Sequence, residues 1–343
     1  MGVDLGELFT KEPCTFEDFA DRVIVLDGYN VLHQFLSSIR QRDGTPLKDS
    51  QGRITSHLSG LLYRTANMVK AKIRPVYVFD GPPHPLKAKT IQQRRRRKEQ
   101  AEQQWQEALA KGDLETARSK AQQTSRVTDD IIIQSKHLLD ALGIPYIQAP
   151  SEGEAQASYM VQNGEAFAVG SQDFDCLLFG APLLVRNLTS SEKRKLPKKQ
   201  AYTTVHPEKI SLYPGLEKLG ISREQLIDIA ILVGTDFNEG IKGYGPKKSL
   251  KLIKEKGRLE DTLDKLGDTE DHLTSQEIES LRNIFLKPPI ITDYVVSWSQ
   301  LDSSAVIHLL CDEHQFSRDR VKQVLENFSI LTQSTKQKNL FDF

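Results

Sequence analysis

Two short apolar runs, each ending on an aspartate, constrain this chain more than any other feature. Arg22 to Asp27 reads Arg-Val-Ile-Val-Leu-Asp, and Pro75 to Asp80 reads Pro-Val-Tyr-Val-Phe-Asp. An uninterrupted β-branched and aromatic run, without polar alternation, is the pattern of a strand buried on both faces, as parallel strands covered by helices are. Between the two, Leu58, Leu61, Leu62, Thr65 and Met68 recur at helical spacing within Ile54 to Ala71, so the segment reads as a βαβ unit. A third run, Ala166 to Val169, leads into Ser171-Gln172-Asp173-Phe174-Asp175, and Ile131 to Leu142 before it reads as a further amphipathic helix. The fold class that follows is α/β, a twisted sheet centred on parallel strands with helices on both faces. Ligands of such sheets bind beyond the carboxyl ends of the strands. Asp27, Asp80 and Asp173 all fall there.

Charge along the chain is more informative than its total. The 343 residues carry 46 Lys plus Arg against 46 Asp plus Glu, yet Lys87 to Lys98 holds seven basic residues and no acid, and Lys242 to Arg258 holds seven with only Glu255 against them. Basic patches of this kind are solvated faces or nucleic-acid footprints. Gln92 to Gln123 is rich in Glu, Gln, Arg, Lys and Ala and reads as a poorly buried helical excursion from the core. Ile221 to Gly234 reads as a helix. The glycines and proline between Asn238 and Lys248 then impose tight turns before a second helix, Ser249 to Lys256. No run reaches the roughly 18 to 20 apolar residues of a membrane span and the N-terminus lacks a signal-peptide pattern, so neither secretion nor a membrane partner is expected. Three scattered cysteines, Cys14, Cys176 and Cys311, offer neither a disulfide framework nor a zinc knuckle.

Seven carboxylates fall at strand ends or helix starts: Asp27, Asp80, Glu152, Glu154, Asp173, Asp175 and Asp236. Each has a plain structural explanation; Glu154 could complete a capping box with Ser151, and Asp236 could cap a turn. Together, seven negative charges at one sheet edge would repel one another unless cations are supplied. A donor set of carboxylates, with no His or Cys among the seven, suits Mg²⁺ or Mn²⁺ better than zinc. Two such ions can activate a water and stabilise the entering and leaving oxygens of a phosphodiester displacement.

The residues at these positions resemble the flap endonuclease branch of the XPG-like nucleases, which share a PIN-like core. The matching motifs are Met1-Gly2-Val3, Leu26-Asp27-Gly28, Val76 to Pro83, Glu152-Gly153-Glu154-Ala155-Gln156-Ala157, Ser171 to Asp175, and Gly234-Thr235-Asp236 with Gly243 to Lys247. Six motifs in the family's order span nearly the whole chain. The resemblance implies a structure-specific 5′ nuclease, with 5′ to 3′ exonuclease activity, cutting at flap and duplex junctions in DNA replication and repair. It implies two Mg²⁺, with Mn²⁺ an alternative: Asp27, Asp80, Glu152 and Glu154 would serve the first, Asp173, Asp175 and Asp236 the second. Lys87 and Arg94 match the catalytic basic pair that steadies the scissile phosphate. Arg40, Arg64, Gly234, Lys247 and Lys248 match DNA contacts, with Glu152 and Asp236 also on the DNA side. The helix-two-turns-helix element implies a bound K⁺.

Two positions depart from the family pattern. His33 stands where a stacking tyrosine is usual, bringing pH-dependent charge, and His314 stands before Gln315 and Phe316 where a lysine is frequent, near a pocket that Leu47 and Thr55 would help line. The tail residues Gln337, Leu340 and Phe343 resemble a sliding-clamp box. The implied division is an N-terminal nuclease region 1–98, a helical cap 99–125, an internal nuclease region 116–258 with the helix-two-turns-helix element, a C-terminal helical part 259–333 and a clamp-binding tail 334–343. An archaeal-type, monomeric, cytoplasmic and nucleoid-associated enzyme follows, with branched flap DNA and the sliding clamp as partners. A PIN-like Mg²⁺-dependent ribonuclease and a catalytically silent DNA-junction or clamp-binding protein are the competing readings.

Overall fold

The computed structural model describes residues 2–190, 193–195, 202–262 and 273–328. In chain order the strands are β1 (Glu12–Pro13), β2 (Val23–Asp27), β3 (Arg74–Phe79), β4 (Tyr146–Gln148), β5 (Ala168–Gly170), β6 (Leu183–Arg186), β7 (Lys193–Lys195), β8 (Tyr202–Thr204) and β9 (Glu208–Ser211). The helices are α1 (Gly28–Ser38), α2 (Ser56–Lys70), α3 (Ala88–Ala110), α4 (Leu114–Ala121), α5 (Asp129–Leu142), α6 (Gly153–Gln162), α7 (Asp175–Leu178), α8 (Leu212–Leu219), α9 (Arg223–Val233), α10 (Pro246–Lys256), α11 (Ser275–Leu286), α12 (Ser303–Ile307) and α13 (Arg318–Leu325). The chain divides into two compact units. The first comprises Met1–Thr15, Asp80–Ile91 and Gln148–Thr292, the second Phe16–Phe79, Gln92–Ile147 and Asp293–Phe343. No helix among the described residues is long and apolar enough to cross a membrane.

In the second unit β2 and β3 pair in parallel with Val25 opposite Val76. Ile24, Val25, Leu26 and Val76 to Val78 are wholly buried, which is why these strands carry no polar alternation. The crossover between them contains α1 and α2. Thr65 and Tyr77 hydroxyls meet at 2.8 Å inside this core, so the one phenol in the apolar run has a partner.

The first unit runs β1, β9, β6, β5 in spatial order. β5 and β6 are parallel, while β9 is antiparallel to both β6 and β1. Each unit thus contains a parallel pair, β2 with β3 and β5 with β6, as the apolar runs suggest, and the antiparallel β9 and β1 make the strand set mixed. Inside this unit Arg282 donates to Asp228 at 2.7 and 2.9 Å and also reaches Glu260, fixing α9 to α11 through a buried ion network.

The polar α3 and α4 are helical and exposed over most of their length, as expected, but they carry a small apolar cluster of their own: Trp105, Ala108, Ala117 and Ala121 with Leu109 packed on it, and the Trp105 indole N–H donates to Asp43 O at 3.1 Å. Small alanines let the helices approach, so little apolar area is needed. The second helix of the basic segment begins at Pro246, not Ser249, because proline is preorganised for the first turn and lacks only an N–H that would be unpaired there.

Candidate active site

Six of the seven carboxylates are carried by the first unit. Asp80 follows β3; its carboxylate accepts the Gly153 N–H at 2.6 Å, and its carbonyl accepts from Gln148. Glu152 is the N-cap residue of α6 and Glu154 lies in its first turn, where the positive end of the helix dipole favours acids. Glu154 makes no capping box with Ser151. Its Oε1 instead accepts from the Ser171 hydroxyl at 3.3 Å and the Cys176 thiol at 3.6 Å. Ser171 also accepts the Asp173 N–H at 3.2 Å, linking the two acid-bearing segments. Asp175 opens α7 and accepts the Val3 N–H at 2.8 Å. A Cβ on Gly2 would lie 2.2 Å from that carboxylate, so only glycine fits beside it. Asp236 lies in a turn held by Thr235 and Asn238, whose side chains meet at 2.8 Å.

Electrostatics mark the same group. Burial, then the neighbouring Glu152, raise Asp80 to about 6. Burial, then Asp173 and Asp236, raise Asp175 to about 7. Lys87 extends its ammonium among them. It forms a short ion pair with Glu152, lies 3.6 Å from Asp236 and stands 5.1 Å from the Phe237 ring. Burial disfavours its charge, yet Glu152 and Asp236 hold it well above the usual lysine range. The site is therefore anionic enough to draw a cationic side chain into itself, and its hard oxygen donors fit Mg²⁺ or Mn²⁺. Among the described residues no three of these side chains are closed into a ready-made ligand cage. Ions that retain several waters do not need one.

The remaining positions are distributed as follows. Asp27 ends β2 in the second unit, is buried, and caps α1 by accepting the Asn30 N–H at 3.0 Å. His33 lies on α1, where partial burial and Lys98, Arg94 and Arg40 lower its imidazole to about 4; the ring is neutral near pH 7, so the expected charge switch lies far below that range. Arg40 donates internally to Leu36 O, Gly44 O and Ser125 Oγ at 2.7, 2.8 and 3.1 Å. Arg64 lies on α2 and Arg94 on α3, each half-buried. Gly234 has φ +103°, and a Cβ there would sit 2.7 Å from Glu239 O, so its glycine has an internal reason. Lys247 pairs with Glu7 at 3.2 Å, and Lys248 lies 3.9 Å from the Tyr244 ring centroid. A 580 Å³ cavity lined by Val233 and Glu239 to Gly245 opens in the turns between α9 and α10.

In the second unit Thr55 donates its N–H to Leu47 O, Gln315 accepts the Ser50 N–H, and buried His314 meets Asp49 at 2.9 Å. Phe316 donates its N–H to Leu310 O at 2.8 Å. Gln337, Leu340 and Phe343 lie outside the described residues. Sequence reasoning placed Val3 and Ser171 within matching motifs but gave neither a role; a serine two residues before an aspartate is a local-turn signal that could have singled out the second.

The XPG N-terminal domain matches residues 6–101 and the XPG I-region residues 143–236. Fold and acid cluster together define an XPG-type nuclease class. Flap endonuclease 1 of Archaeoglobus fulgidus is 51% identical over 340 residues, 98% of this chain and 99% of that relative. A solved flap endonuclease-1 from Methanococcus jannaschii is 40% identical, covers 97% of this chain and 100% of its own, and superposes with a TM-score of 0.76. The catalytic core of Rad2 in complex with a DNA substrate shares the fold at 23% identity, a TM-score of 0.69 and coverage of 94% and 97%. The chain belongs to the flap endonuclease family.

Proposed function

We propose that this protein is a structure-specific 5′ flap endonuclease, with 5′ to 3′ exonuclease activity, that hydrolyses phosphodiesters at flap and duplex junctions in DNA replication and repair. The observation that carries the reading is the gathering of Asp80, Glu152, Glu154, Asp173, Asp175 and Asp236 in one unit with the Lys87 ammonium drawn among them. Two Mg²⁺ or Mn²⁺, when bound, would supply Lewis acidity and charge neutralisation for in-line displacement at phosphorus. Asp80, Glu152 and Glu154, together with Asp27, would hold one ion, and Asp173, Asp175 and Asp236 the other. Lys87 would leave its resting carboxylate partners for the scissile phosphate, where with Arg94 it would oppose the growing negative charge.

Phosphate contacts by Arg40, Arg64, Lys247 and Lys248 would orient the duplex without reading sequence, and the backbone at Gly234, together with Asp236 and Glu152, would lie on the DNA side. A neutral His33 ring would stack on a base near the cut. The cavity between α9 and α10 would take K⁺. Gln337, Leu340 and Phe343 would dock on a sliding clamp, and the enzyme would act as a monomer in a nucleoid-associated, cytoplasmic setting. Comparing Mg²⁺-dependent cleavage of a double-flap DNA with that of a single-stranded RNA of matched sequence tests the reading. Cleavage of the RNA alone would overturn it.

A further inference from the structure

We infer that Arg186 is a positioning residue for the Asp173 and Asp175 pair. It acts by clamping the residue between them, Phe174. Parallel pairing of β5 with β6 sets Gly170 opposite Val185, so Arg186 stands beside the start of the acid-bearing turn. Its Nε–H donates to Gln172 O at 3.2 Å, and its guanidinium carbon lies 4.7 Å from the Phe174 ring centroid. From the other direction it is tethered by Glu208, its cross-strand neighbour on β9, at 3.8 Å. The Lys11 ammonium also lies 5.9 Å from the Phe174 centroid. The ring is buried, at 4% exposure.

A planar guanidinium can stack on a ring and donate an in-plane N–H at once, which an ammonium cannot do in one geometry. Phe174 adjoins both carboxylates in sequence, so a fixed ring fixes the backbone from which both project. Groups that orient metal-binding side chains in this way control affinity without touching the ion. The inference rests on the proposed metal role of Asp173 and Asp175. It makes a directional claim, because a cation acting only through charge would oppose metal binding, and its removal would tighten it.

The test is Mn²⁺ binding to the metal-stripped, full-length protein without DNA, followed by electron paramagnetic resonance, for wild type, Arg186→Ala, Arg186→Lys and Phe174→Leu. Asp173→Ala serves as the benchmark, and melting in EDTA checks folding. Both Arg186 variants should bind Mn²⁺ roughly 10- to 100-fold more weakly. The half-saturating Mg²⁺ for single-turnover flap cleavage should rise in parallel, and saturating Mg²⁺ should restore most of the rate. If Arg186→Ala does not fold, Arg186→Lys and Phe174→Leu carry the same expectation. Unchanged or tighter Mn²⁺ binding in the folded variants would overturn the inference, as would a lower maximal rate at unchanged half-saturating Mg²⁺. Should wild type bind no Mn²⁺ and cleave without Mg²⁺, the metal reading itself falls and takes the inference with it. If wild type and Asp173→Ala behave as that reading requires while the Arg186 variants match wild type, only the positioning role is lost.

Discussion

Asp175→Asn should stabilise the metal-free protein while abolishing its cleavage activity. Asp175 is 4% exposed and, through burial and then Asp173 and Asp236, its carboxyl rises from an ordinary 3.8 to about 7. An acid whose folded value is raised binds more protons folded than unfolded, so stability falls as pH rises between the two values and levels off above the folded one. At roughly 1.4 kcal/mol per pH unit, ionising this group costs the folded state about 4 kcal/mol at pH 8 and under about 2 kcal/mol at pH 5. Asparagine is isosteric and neutral, and its amide oxygen can still accept the Val3 N–H that Asp175 accepts at 2.8 Å. Guanidinium unfolding in EDTA should therefore show the variant more stable than wild type at pH 8, with the gap shrinking by about half or more at pH 5. Mg²⁺ should stabilise wild type and leave the variant nearly unaffected. A variant no more stable than wild type at pH 8 in EDTA, or a gap independent of pH, would refute the reasoning.

Three further outcomes are expected. Arg282→Ala strands the buried Asp228, to which Arg282 donates at 2.7 and 2.9 Å, and should cost about 3 to 5 kcal/mol in guanidinium unfolding; a loss near zero would show that water or another cation replaces the guanidinium. Arg94→Ala should slow single-turnover flap cleavage by roughly two to four orders of magnitude with little change in flap-DNA Kd, and a change confined to the salt dependence of binding would contradict this. Deleting Lys336 to Phe343 should leave cleavage of a free flap unchanged and remove stimulation by a sliding clamp, so a truncated enzyme that is still stimulated would assign clamp contact elsewhere.

What the sequence disclosed depended on the length and polarity of each signal. β2 and β3 were legible because burial on both faces leaves an unbroken apolar run, and each run ended on its acid. The antiparallel strands were not: edge strand β1 has two residues and β9, between β1 and β6, reads Glu-Lys-Ile-Ser, too short and too polar for periodicity to register. Trp105 and its alanine neighbours were hidden because small residues bury little area yet still permit close helix packing. Lysine and arginine positions were visible as charge, but not as partners. Nothing in the local sequence reveals that the Arg40 guanidinium donates to Leu36, Gly44 and Ser125. Nor could spacing have placed the N-terminal Val3 against Asp175, a contact 172 residues apart in the chain.

The most direct measurement is single-turnover cleavage of a 5′-labelled double-flap DNA by wild type and Asp173→Ala, with and without Mg²⁺, alongside equilibrium binding of the same DNA in Ca²⁺. The account predicts one cut at the flap junction by wild type with Mg²⁺, none without it, none by Asp173→Ala, and DNA binding largely retained by both proteins. Near wild-type cleavage by Asp173→Ala at saturating Mg²⁺, or cleavage by wild type without divalent ions, would contradict the central claim that these carboxylates serve metal-dependent phosphodiester hydrolysis.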